Sequence, residues 1–375
     1  MSDRILRIGS FLRGLWLILL SSAATTAAGG AISHSSFGKL PNGSEVTIYT
    51  LKNEKLEMRV MTFGARVVSL KAPDANGKMA NVVLGYDNLE DYVSDNKNYF
   101  GAALGRFANR IANGMFRIEG REYHLTENEG TNTLHGGKEG FDRRNWMAKE
   151  VPNGVEFTLV SPDGDQGFPG TLVTHVRYTL HENTISIRYT ARTDMPTVIN
   201  LTNHAYFNLS GVGSGTITSE RLTLYAAEFT PVDSNLIPTG KVEPVAGTPF
   251  DFTHNETIGA RIDSDNEQLK LAHGYDQNWV LNGAIGKLHT AARVFDPVSG
   301  RILEEATTEP GVQFYTGNFL PTASSQTTSK YTFRSGFCLE TQHFPDSPNH
   351  SSFPSTELKP NHIYSSQTNW TFRAR

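Results

Sequence analysis

Alternation of polar with apolar or β-branched residues governs what this chain can fold into. Val173-Thr174-His175-Val176-Arg177-Tyr178-Thr179-Leu180 and Thr184-Ile185-Ser186-Ile187-Arg188-Tyr189-Thr190 both repeat at every second residue. That is the period at which a strand turns one face to a core and the other to water. The short gap His181-Glu182-Asn183 between them predicts a hairpin. Glu45 to Leu51 alternates in the same way, and comparable runs lie at Arg221 to Tyr225, Gly311 to Tyr315 and Asn369 to Phe372. Between such runs stand Pro73-Asp74-Ala75-Asn76-Gly77, Pro162-Asp163-Gly164-Asp165 and Asp296-Pro297-Val298-Ser299-Gly300. Their Gly and Asn tolerate positive φ and their Pro presets its own, so each turns the chain. Only Asn88 to Val93 and a few similar stretches read as helical turns. Many short strands with regular turns bury two sheet faces together most simply. The expected class is therefore all-β, a large antiparallel β-sandwich.

Charge and cysteine usage narrow the function classes. The 375 residues carry 34 Lys and Arg against 38 Asp and Glu, a formal charge of −4, and 38% are apolar. The apolar share argues against disorder. A slightly acidic chain with no long Lys/Arg run lacks the electrostatic footprint of a nucleic-acid binder. The single cysteine, Cys338, excludes an internal disulfide and a Cys-based metal cluster. There is no His-Glu-x-x-His pattern, calcium-loop spacing, phosphate-binding Gly-rich loop or Gly-x-Ser-x-Gly elbow, so neither a metal nor a nucleotide cofactor is expected.

The N-terminus has a layout of its own. Arg4, Arg7 and Arg13 precede the apolar run Leu15 to Leu20, and the small-residue stretch Ser21 to Gly30 follows. A basic start, a short apolar core and small residues make a secretory signal peptide. The apolar run falls short of the roughly 20 residues a bilayer span needs. Residues 1–30 are read as a signal peptide and 31–375 as a single domain, exported to the periplasm or the medium. No stable membrane insertion is expected after cleavage, and a leader that does not function would leave the protein cytoplasmic.

Three segments hold more functional side chains than their surroundings require. They are Gly105-Arg106-Phe107-Ala108-Asn109-Arg110-Ile111 with Leu134-His135-Gly136-Gly137, then Asn200 to Leu209, then Cys338-Leu339-Glu340-Thr341-Gln342-His343-Phe344-Pro345-Asp346. Two shorter ones are Gly274-Tyr275-Asp276-Gln277-Asn278 and Val312-Gln313-Phe314-Tyr315. Together they offer donors and acceptors for several hydroxyl groups, and Tyr206, Phe207 and Trp279 offer flat faces. That mixture suits a sugar. A Glu and a His could form the base and acid needed when one proton leaves as another arrives. Taken singly, the same residues fit blander roles: His204 a satisfied core histidine, Arg106 and Arg110 solvated or carboxylate-paired cations, His135 a turn cap. Cys338 is a weak nucleophile candidate, because nothing nearby in sequence lowers its pKa.

Read in order, the motifs resemble the galactose mutarotase (aldose 1-epimerase) family from about residue 37 to the C-terminus. They are Val83-Leu84-Gly85-Tyr86, Tyr99-Phe100-Gly101, Gly105 to Ile111, Leu134 to Gly137 and Gly140-Phe141-Asp142. Next come Ser161-Pro162-Asp163-Gly164 with Gly167-Phe168-Pro169-Gly170, Thr202-Asn203-His204 and Glu340-Thr341-Gln342. The resemblance implies that family's large sandwich, with a site in an open cleft across one sheet. It also implies an aldose 1-epimerase that interconverts α and β anomers of free hexoses such as D-galactose and D-glucose, without cofactor. Glu340 is then the general base and His204 the general acid. Asn109, Arg110, His135, Tyr206, Asp276 and Gln313 are the sugar-binding set. A concerted reaction requires His204 protonated and Glu340 ionised at the start, which a neighbouring carboxylate such as Asp276 would favour. Competing readings are a non-catalytic sugar-binding module on the same fold and an epimerase for a modified or phosphorylated sugar. A glycoside hydrolase would need two carboxylates flanking the bond.

Overall fold

The computed structural model describes residues 30–95, 97–321 and 331–375. The signal-peptide reading of residues 1–30 falls, except for Gly30, outside them. The expected hairpin is present and longer than the alternation suggested: Leu172–His181 pairs antiparallel with Thr184–Thr193, from Leu172↔Thr193 to His181↔Thr184. Only two residues turn the chain, with Glu182 at φ 49°. Val176 lies opposite Tyr189, Tyr178 opposite Ile187 and Leu180 opposite Ile185, and all six are buried. Such cross-strand pairs on one face are the unit of sheet stabilisation.

This hairpin belongs to a nine-stranded sheet. Its order runs Met147–Val151, Gly154–Ser161, Leu172–His181, Thr184–Thr193, Tyr364–Ala374, Arg301–Thr307, His289–Phe295, Arg221–Leu224, Glu256–Thr257. Two further sheets cover it. A meander of five strands spans Ala31–Lys39 to Met79–Asn81. A six-stranded sheet runs Tyr206–Phe207, Phe337–Gln342, Gly311–Tyr315, Asp276–Leu281, Ala226–Thr230, Glu243–Pro244. The short helix Leu89–Ser94 begins where sequence placed it, with the Asn88 side chain accepting from the Asp91 N–H, a favoured N-cap. No helix among the described residues is long and apolar enough to cross a membrane.

One buried apolar cluster draws on all three large sheets, which makes the arrangement a sandwich. Across it the Phe207 ring meets Trp370 edge-on at 5.1 Å, and Tyr49 meets Phe157 edge-on at 6.0 Å. Full burial of side chains of this size contributes roughly 1.5–3 kcal/mol each. For the site, strand parity is what counts. Phe337 and Leu339, Val312 and Phe314, and Trp279 and Leu281 all enter that cluster. The alternate residues of the same strands, namely Cys338, Glu340, Gln313, Tyr315 and Asp276, must therefore face the other way.

Candidate active site

On that opposite face the register lines up the polar residues. Glu340 is the direct cross-strand partner of Gln313, and Asp276 lies opposite Tyr315. His204 arrives from outside the sheet, between Thr202–Asn203, which pairs with Ala103–Leu104, and Tyr206–Phe207, which pairs with Phe337 and Cys338. Its own backbone is pinned on both sides: the N–H donates to Ala102 O and the carbonyl accepts from Gly101 N–H, both at 2.9 Å. The imidazole lies nearly parallel to two tyrosines, Tyr206 at 5.0 Å and Tyr99 at 5.9 Å. Its Nε2 sits 3.7 Å from Glu340 Oε1, and its Nδ1 sits 3.4 Å from Cys338 Sγ.

A second imidazole is held by a short strand pair, Arg110–Ile111 with Thr133–Leu134. The Asn109 N–H donates to His135 Nδ1 at 3.1 Å, and the His135 N–H donates to Asn109 O at 3.0 Å. Gly136 makes this approach possible. It sits at φ 87°, and a Cβ there would stand 2.0 Å from the Gly105 carbonyl oxygen, so only glycine fits. Because Nδ1 of His135 accepts, neutral His135 carries its proton on Nε2.

Seven of the eight residues proposed from sequence line one cleft of about 300 Å³: Asn109, Arg110, His135, His204, Tyr206, Asp276 and Glu340. That volume is at the lower end of the ~300–1,000 Å³ typical of small-molecule sites. Gln313 stands one layer back, donating to Asp276 Oδ1 at 2.7 Å. Trp279 and Phe207 do not offer their faces to the cleft, because parity puts both in the sandwich core. Arg106 is structural as well: its guanidinium donates to Ser161 O, Pro162 O and Pro169 O. Tyr99, Tyr315, Phe319 and Glu129 line the cleft without having been picked as site residues. Tyr99 and Tyr315 stood inside motifs already noted. Glu129 had no signal, since it sits in a polar turn with no periodicity.

Glu129 nevertheless sets the cationic wall. It binds Arg110 through two bonds, Nε to Oε2 at 2.7 Å and Nη2 to Oε1 at 2.8 Å, a two-point geometry that fixes the guanidinium plane. Burial opposes the Arg110 charge, but the Glu129 pair, with the Asp276 and Glu340 charges, outweighs it and holds the pKa above its ordinary value. Glu129→Gln is expected to let the guanidinium tilt, raising KM for a sugar about tenfold, equivalent to roughly 1.4 kcal/mol, with kcat less affected. Steady-state kinetics on the variant check this, and an unchanged KM would remove Glu129 from ligand positioning.

Burial shapes the ionisation of the whole cleft. It pushes His204 down to about 3 and His135 well below the ordinary imidazole range. Burial, with the nearby Asp276 charge, pushes Glu340 well up, against the pull of Arg110. The expected charged pair thus meets an environment that favours both groups neutral. Asp276 bears on Glu340 rather than on His204. Two acceptor atoms in the buried row, Glu340 Oε2 and Gln313 Oε1, have no hydrogen-bond partner among the described residues. Buried acceptors of this kind are normally satisfied, so the arrangement calls for a ligand that donates. A larger depression of about 420 Å³ lies just past the end of the strand Phe337–Gln342, at His343. There Glu309 is already bonded to His343 Nδ1 at 2.5 Å and to the Tyr364 hydroxyl at 3.1 Å.

His135, His204 and Glu340 each present one possible ligand atom within 4.8 Å of the others. The donor set does not suit a cation. A metal would need a lone pair on the cleft-facing nitrogen of His135, and the Asn109 N–H forces the proton onto it.

Fold and site together define an antiparallel β-sandwich protein with an imidazole–carboxylate pair on the floor of a polar cleft. A family model described as aldose 1-epimerase matches residues 47–371. Galactose mutarotase from Homo sapiens is 42% identical over 342 residues, 91% of this chain and 98% of that one. Aldose 1-epimerase from Escherichia coli (strain K12) is 39% identical over 339 residues, 89% of this chain and 97% of that one. The crystal structure of galactose 1-epimerase from Lactobacillus acidophilus NCFM superposes with a TM-score of 0.80 at 27% identity, covering 92% of this chain and 99% of that one. The chain belongs to the aldose 1-epimerase family, and is an isomerase.

Proposed function

We propose that the protein interconverts the α and β anomers of free aldohexoses such as D-galactose and D-glucose, with Glu340 and His204 as the acid–base pair. The observation that carries this reading is the 3.7 Å separation of His204 Nε2 and Glu340 Oε1 on the cleft floor, too long for a direct hydrogen bond. A hemiacetal placed between them bridges both groups. Glu340 removes the proton from O1, the C1–O5 bond breaks with its electron pair going to O5, and His204 Nε2 protonates O5. C1 becomes an aldehyde, rotates about C1–C2, and the ring recloses on the other face with the proton transfers reversed. General acid–base catalysis of this kind contributes about 10² to 10⁴-fold.

The proton inventory fits the electrostatics. The charged pair forms when the Glu340 proton passes to His204 Nε2 beside it, and ring opening then returns ionised Glu340 and charged His204 to protonated Glu340 and neutral His204. Burial disfavours both charges, so it favours the distribution reached as the ring opens. Arg110, Asn109, His135 and Asp276 hold the sugar hydroxyls, Gln313 orients Asp276, and Tyr206 backs the imidazole as a wall. Residues 1–30 serve as an export leader and 31–375 as one domain. The basic, apolar and small-residue layout supports the first, and a core shared by three sheets supports the second.

Polarimetry tests the reaction. Fresh α-D-galactose and α-D-glucose are expected to relax faster with protein, while methyl α-D-galactoside, which has no proton on O1, stays unchanged and is not hydrolysed. Binding without faster relaxation would leave a sugar-binding module instead, and cleavage of the methyl glycoside would indicate a hydrolase.

A further inference from the structure

Two imidazoles face the cleft, and what meets Nδ1 differs between them. At His135 it is the Asn109 backbone N–H, 3.1 Å away, which can only donate. The ring is thereby a fixed Nε2–H donor. At His204 it is Cys338 Sγ, 3.4 Å away, and a thiol sulfur can accept as well as donate. The difference matters if Nε2 of His204 both gives a proton to O5 and takes it back. Between those events the ring is neutral with a bare Nε2, so its remaining proton must sit on Nδ1 and needs an acceptor. The carbonyl of His204 receives the Gly101 N–H and its second lone pair also interacts with the ring, so the sulfur is the acceptor that another strand adds.

The strand Phe337–Gln342 supplies that acceptor through its alternation. Cys338 and Glu340 are two residues apart on one face, so a single strand puts sulfur at Nδ1 and carboxylate near Nε2. The flanking Tyr206 and Tyr99 rings restrict the plane in which both contacts are made. Cys338 is fully buried, which removes water as a rival partner.

We infer that Cys338 is a positioning residue whose sulfur accepts the Nδ1–H of His204 and so keeps the neutral ring in the tautomer with a bare Nε2. The inference rests on the acid–base reading above, and it explains why His204 can cycle a proton while His135 only donates. Sulfur is a weak acceptor, so it orients the ring without holding the imidazolium as a carboxylate would. Burial remains free to keep His204 acidic.

Nitrogen-15 NMR of histidine-labelled protein decides the tautomer in the wild type, with the His204 signals assigned by their loss in His204→Asn. Nδ1 of His204 is expected to be protonated and Nε2 bare, with the opposite pattern at His135. Cys338→Ala is expected to mix the His204 tautomers and lower kcat about tenfold with KM little changed. Cys338→Ser, whose hydroxyl also accepts, is expected to restore most of both. A bare Nδ1 at His204 in the wild type would overturn the inference, as would Cys338→Ala turning over like wild type. A role in packing alone would leave the tautomer unmoved in every variant. If the wild type fails to speed anomer exchange, the functional reading fails, while the spectrum still judges the Cys338–His204 contact.

Discussion

Glu340→Gln is expected to abolish accelerated mutarotation, lowering kcat by about 10² to 10⁴-fold, while leaving the fold intact. The amide keeps the size and shape of the carboxyl group but cannot take the proton from O1. Stability should not fall. Glu340 is almost wholly buried, with Oε2 unpartnered among the described residues, and a carboxylate held in that way is opposed by desolvation. A melting temperature equal to or above that of wild type is therefore expected alongside the lost activity. Relaxation of fresh α-D-galactose at the wild-type rate would remove Glu340 from the reaction.

His204→Asn is expected to produce a comparable loss in kcat with modest change in KM, because the proposed reaction needs its proton in the transition state. The double variant with Glu340→Gln should be little slower than the worse single variant, since two groups acting on one proton circuit are not additive. Unchanged kcat in His204→Asn would sink its role. The same variant has an acid-stability signature. The folded His204 pKa is near 3, below its ordinary 6.5, so between those values the unfolded chain binds the extra proton. The stabilisation is present above pH 6.5 and is lost as pH falls toward 3. Removing the group should flatten the fall in urea-unfolding stability there by up to ~1.4 kcal/mol per pH unit. His135, also shifted down by burial, keeps some slope in the variant.

Parity explains much of what could be read in advance. Alternation in Gly311 to Tyr315 carried both a core face and a cleft face. Applied to Asp276 and Trp279, three positions apart on one strand, it would also have sent Trp279 to the core. Trp279 and Phe207 turn their faces to the core and not to the cleft for this reason. Arg106 and Arg110 lie four residues apart in one motif yet diverge. Arg106 anchors three backbone carbonyls, while Arg110 faces the cleft on Glu129. No local pattern separates them, because each answer depends on which distant segment packs alongside.

By itself the sequence determined the all-β class, several of the strands and turns, the family resemblance and the residue types available for sugar chemistry. Those follow from local periodicity, local turn chemistry and ordered motifs. Only the tertiary structure decided that Cys338 and Glu340 lie at opposite nitrogens of His204, that Glu129 braces Arg110, and that burial favours neutral His204 and Glu340. Cross-strand register brings together residues 134 positions apart, and desolvation sums over everything packed around a group. Neither quantity is written in any short stretch of the chain.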